Sequence, residues 1–69
     1  MADTKTPSVI KGLLLVRDMK QSELARLMGV TPQTLNNWYT RGFTDDNARR
    51  CLKVLNADAG AYARCGVTP

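Results

Sequence analysis

One stretch of the chain constrains its fold more than any other: Gly29-Val30-Thr31-Pro32, set between two short segments with helical apolar spacing. Glycine is the usual residue where a helix stops in the left-handed conformation. Threonine then proline is a cap followed by the residue favoured at the first helical position. Val30 precedes that cap and Leu35 lies four positions beyond it, the spacing of a hydrophobic staple. One helix therefore ends at about Met28 and the next begins at about Pro32, an arrangement in which the first braces the second.

The same signals order the rest of the chain. Upstream of the turn, Gln21 to Met28 places Leu24, Leu27 and Met28 at i, i+3 and i+4, with Ala25 beside them. A first helix is predicted over residues 7–18, capped by Thr6 or Ser8, with Ile10, Leu13 and Leu14 as its inward stripe. The third helix runs to about Thr40, where Arg41-Gly42-Phe43 breaks the pattern. Thr44 caps a fourth helix over about 45–55, with Asp45 and Asp46 in the first turn, where the helix dipole favours acids. Asp58 caps a short fifth helix that holds Tyr62 and Ala63 and ends by Gly66. No strand alternation or internal repeat is present, so the expected class is all-α with five short helices. Residues 1–6 read as a flexible N-terminal arm, 7–66 as the domain and 67–69 as a C-terminal tail.

Length and composition narrow the function. A chain of 69 residues supports one domain that buries only about 60% of its unfolded surface, leaving little room for a catalytic cleft. It has no His, a single Glu at position 23 and five scattered Asp, so no enzyme activity, small-molecule substrate, cofactor or metal is expected. Cys51 and Cys65 lack the C-x-x-C spacing of a zinc or redox site and read as small apolar residues in a reducing cytoplasm. The N-terminus has no apolar core of a signal peptide. The longest apolar run, Leu13 to Val16, falls far short of the ~20 residues of a membrane span. Ten Lys and Arg against six Asp and Glu give a net charge of +4 and a pI near 9.5, the balance of a chain that meets polyanions.

The third helix carries the most specific chemistry. At about 100° per residue, Gln33, Asn36, Asn37 and Thr40 fall within roughly 100° of arc, and Leu35, Trp38 and Tyr39 lie opposite. A helix that needs only solubility presents Lys and Glu; this face is amide and hydroxyl throughout. Amides pair with adenine N6 and N7 in the major groove, and a threonine methyl can touch the thymine methyl.

The stretch Q-S-E-L-A-R-L-M-G-V-T-P-Q-T-L-N-N-W, Gln21 to Trp38, resembles the helix-turn-helix of the Cro and phage-repressor (XRE) family. The matching positions are Gln21, Leu24-Ala25, Gly29, Val30, Leu35 and Trp38. Arg41-Gly42 and the stretch from Leu55 to Gly66, with Tyr62, are similar to that family's fourth and fifth helices. The likeness covers about residues 8–66 and implies a lambda-repressor-like domain that binds double-stranded DNA in the major groove. It implies base reading by Gln33 and Asn37, with Asn36 and Thr40 at the flanks, and backbone contacts from Gln21, Thr31, Thr34 and Arg41. Ala25, Gly29, Val30, Leu35 and Trp38 would then be turn and packing positions.

Three departures from that pattern stand out. Pro32 occupies a position where relatives often read a base, and it can donate nothing, which shifts the load to Gln33. Lys20 stands where a capping Ser or Thr usually precedes the bracing helix. Asp45 and Asp46 follow a loop that in relatives often supplies cations, so either the loop stands off the DNA or the acids pair with arginine, from this chain or from a second subunit.

The resemblance thus implies a cytoplasmic, nucleoid-associated transcriptional regulator, a repressor that binds an inverted repeat as a homodimer. With no separate oligomerisation domain expected after residue 66, Phe43, Val54, Tyr62 and Val67 are the candidate dimer contacts. A chain of this size resembles the autoregulators of phages and other mobile elements, Cro-like or anti-CRISPR-associated. Two alternatives stay open: an antitoxin built on the same fold, and a helix-turn-helix that binds only protein.

Overall fold

The computed structural model describes residues 2–69, and among them every regular element is helical. The order is α1 (Thr6–Val16), α2 (Gln21–Met28), α3 (Pro32–Arg41), α4 (Asp45–Val54) and α5 (Ala59–Arg64). The all-α class with five short helices stands. No described helix is long and apolar enough to cross a membrane.

Local chemistry sets most of the boundaries. Thr31, Thr44 and Asp58 are extended, and each side chain accepts the backbone N–H three residues on, at Thr34, Asn47 and Ala61. Four helices end on one motif. Met19 N donates to Leu14 O, Val30 N to Ala25 O, Ala57 N to Leu52 O and Val67 N to Tyr62 O. The residue before each of these donors is left-handed: Asp18, Gly29, Asn56 and Gly66. These are Schellman closures. Asp18 and Asn56 tolerate the conformation better than most side-chain-bearing residues do.

The start of α1 differs from expectation. The helix begins at Thr6, its cap position is Lys5, and no side chain caps it. Thr6 is instead buried, its hydroxyl 3.5 Å from Cys65 O. Residues 2–6, read from the sequence as an arm, lie against the end of α5, where Asp3 N donates to Cys65 O at 2.7 Å. Gly66 follows at φ 70, and a Cβ there would only touch the Asp3 Cβ at an ordinary 3.4 Å, so the backbone conformation and not the space calls for glycine. The expected tail also contributes, because Val67 is buried.

The core gathers Ile10 and Leu14 of α1, Leu24, Ala25 and Met28 of α2, Leu35 of α3, and Ala48, Cys51 and Leu52 of α4. Phe43, Leu55, Ala61, Tyr62 and Cys65 close it. Two stripe residues fall short of the sequence expectation. Leu13 is only half-buried, and Leu27 is 57% exposed because α3 and α4 take the other side of α2.

Three dimer candidates require correction. Phe43, Tyr62 and Val67 are all buried within the monomer, so their apolar area is already spent on the fold. Gly42, at φ 109 and ψ 151, takes a conformation that only glycine adopts readily and so lets the chain turn Phe43 inward. Of the four, Val54 alone stays partly open.

Candidate nucleic-acid interface

The turn between α2 and α3 follows from its residues. Gly29 has φ 71 and ψ 28; Gly29 N donates to Arg26 O and Val30 N to Ala25 O. Ala25 is fully buried, and its small side chain fits the contact between the two helices. Arg50 of α4 donates to Met28 O at 3.4 Å, tying the end of α2 from below.

The start of α3 is fastened by hydroxyls. Thr31 Oγ1 accepts from Thr34 N at 3.1 Å and lies 2.9 Å from Thr34 Oγ1. Pro32 follows as an exposed first residue with no N–H to offer. The helix is held from behind by Leu35, which has no exposed surface, and by an aromatic cluster. Phe43 packs against Trp38 with ring centroids 5.9 Å apart and edge-on against Tyr39 at 5.4 Å. Lys11 of α1 adds a cation over the Tyr39 ring at 5.1 Å. Phe43, offered by the sequence as a surface contact, is thus the pivot on which α3 rests.

The structure brings Gln33, Asn36, Asn37 and Thr40 together as exposed residues of α3. None of the three amides has a side-chain partner that competes for it among the described hydrogen bonds. Thr40 is different: its hydroxyl donates to Asn36 O at 3.1 Å. Its hydrogen is committed within the helix, which leaves the methyl and the oxygen lone pairs to face outward. Arg41 is exposed in the last turn, beyond Thr40.

Around this face the charges divide. Gln21 opens α2, and its cap residue Lys20 is extended with no side-chain cap bond, as the absence of Ser or Thr there implied. Asp46 reaches Arg49 of its own helix at 3.9 Å, so its partner is internal. Arg49 also donates to Thr68 O at 2.8 Å, a structural role. The sequence missed the positions of Lys11 and Arg50 beside the motif. Nothing short of the tertiary contacts to Tyr39 and Met28 could have shown them.

Neither cysteine reaches this surface. Burial pushes the Cys51 thiol up to about 12, and Cys51 donates to Met28 Sδ at 3.1 Å inside the core. Burial raises Cys65 as well. Both are free and buried, held as inert thiols.

A profile described as the bacteriophage CI repressor helix-turn-helix domain matches residues 17–58. The match runs from the end of α1 through α2, α3 and α4 to the cap of α5. No curated protein and no solved structure matches the chain.

Proposed function

The chain belongs to the bacteriophage CI repressor helix-turn-helix family, and from that premise we propose that it is a sequence-specific repressor of a phage or mobile-element operon. One observation carries the reading: the exposed face of α3 is uncharged and amide-rich, while its opposite face is anchored by Leu35 and the Trp38-Tyr39-Phe43 cluster. A rigid helix with amides outward suits hydrogen bonding to base edges.

In this reading Gln33 and Asn37 contact bases directly, Asn36 reads at the flank, and the Thr40 methyl meets a thymine methyl. Gln21, Thr31, Thr34 and Arg41 hold the sugar–phosphate backbone, which sets register without reading sequence. The protein acts as a homodimer on an inverted repeat, because one recognition helix makes too few base contacts for the discrimination a genome demands. Recognition helices in such dimers lie one turn of B-DNA apart. Selection from a random duplex pool should therefore return half-sites centred about 10 base pairs apart, or a multiple of that. An unselective pool, or a single asymmetric site occupied by one copy, contradicts the proposal.

A further inference from the structure

Two observations place Lys11 of α1 at the edge of the α3 face. Its ammonium lies 5.1 Å from the centre of the Tyr39 ring, and its side chain lines one groove with Gln21, the first residue of α2. At about 100° per residue, Tyr39 follows Asn36 by roughly 60° round α3, on the side away from Asn37. Lys11 therefore borders the amide face on the Asn36 side, and the shared groove continues that border to Gln21.

The ring gives Lys11 a fixed seat. Tyr39 stands edge-on against Phe43, with centroids 5.4 Å apart, and its hydroxyl is buried. A ring face attracts a cation without neutralising it, and Lys11 is exposed. Its charge stays available to an anion, and a side chain already held loses less freedom on meeting one. Arg17, the next cation along, is turned back on its own helix, donating to Leu13 O. Two acids stand on the same flank, each with a cation in its own groove. Asp18 lines a groove with Lys20. Asp3, whose carboxylate accepts the N–H of Lys5, lies in the groove beside Arg41. Among the described residues no acid lines the groove of Lys11 and Gln21.

We propose that Lys11 is a further holder of the DNA backbone, neutralising a phosphate of the strand that passes Gln21, with Tyr39 fixing where it does so. The assignment deepens the DNA-binding reading above and rests on it. A phosphate contact adds affinity and sets register but reads no base. The backbone is then held from three helices, by Lys11 of α1, Gln21 of α2 and Arg41 of α3.

The test uses the full chain, the selected operator and a scrambled duplex, each titrated with salt. One neutralised phosphate contributes about 0.9 to the slope of log affinity against log salt. Lys11→Gln should therefore lower the slope by about one on both duplexes. Its affinity loss should be about eightfold at about 0.1 M salt and should vanish on extrapolation to about 1 M. Lys11→Arg keeps the charge and can stack on the ring, so it should retain the slope of the parent. Arg64→Gln removes the same charge from a groove roughly 150° round α1 from Lys11, and it should leave the slope unchanged. An unchanged slope for folded Lys11→Gln, whatever its melting temperature, shows that Lys11 only braces Tyr39 and overturns the assignment alone. A slope that falls equally in Arg64→Gln, or a loss confined to the operator, overturns it too. If the parent binds neither duplex in a salt-dependent way, the DNA-binding reading fails with it.

Discussion

Replacing Gly29 isolates the energy of the turn, because nothing surrounds the position: a Cβ there meets no atom within 4 Å. The whole effect must then come from the backbone at φ 71. The left-handed conformation costs a residue with a Cβ about 1–2 kcal/mol, and the narrower unfolded ensemble of alanine returns about 0.4–1 kcal/mol. Gly29→Ala should therefore lose about 1 kcal/mol, which in a domain of this size lowers the melting temperature by about 4–8 °C. Gly29→Val adds β-branching and should lose about twice as much. Gly29→Asn should lose less than either. Asn56 occupies the equivalent place after α4 at φ 53, so Asn56→Gly should hold or raise the melting temperature while Asn56→Val lowers it. Thermal melts followed by circular dichroism at 222 nm, the helix band, decide the series. At a temperature where the Gly29 variants are folded, their DNA affinity should match the parent. A Gly29→Val melt equal to that of the parent, or a Gly29→Asn melt below that of Gly29→Val, refutes the reasoning.

Two further outcomes follow from the core. The Tyr39 hydroxyl is buried without a hydrogen-bond partner among the described residues, and an unsatisfied buried polar group costs about 1–3 kcal/mol. Tyr39→Phe should raise the melting temperature; a lowered one shows that the hydroxyl has a partner in solution. Stability should also fall in alkali. Burial raises Cys51 from 9.0 to about 12 and Tyr39 from 10.0 to about 12. The unfolded chain thus gives up protons that the folded chain retains, and stability declines as pH rises from 9 to 12. Denaturant midpoints across that window should drop, and Cys51→Ala should flatten the decline; midpoints that stay level contradict it.

What could be read in the sequence was whatever local bonding decides. Thr31, Thr44 and Asp58 cap their helices through contacts three residues long, and Gly29 ends α2 through its own backbone. Those boundaries and the amide face of α3 were accordingly legible. The end of α1, expected at Asp18 and found at Val16, was less so, because Asp18 performs there what glycine performs elsewhere. The partition between core and surface was hardest. Phe43 is buried because Gly42 turns the chain beneath α3, and Thr6 because Asp3 bonds to Cys65 across the molecule. Neither contact leaves a trace in local periodicity. Leu15 and Val16 are exposed despite their apolarity for the same reason.

The central claim is that the amides of α3 read sequence while the cation at its end holds the backbone. It is tested most directly by affinities for the selected operator and a scrambled duplex, each at two salt concentrations. Gln33→Ala and Asn37→Ala should each cost about 1–3 kcal/mol on the operator and little on scrambled DNA, with discrimination relaxed at A·T pairs. Arg41→Ala should weaken both duplexes alike and reduce the salt slope by about one, since one phosphate is no longer neutralised. Equal loss on operator and scrambled DNA for Gln33→Ala, with the fold intact, would contradict the account by showing that α3 does not read the bases through this face.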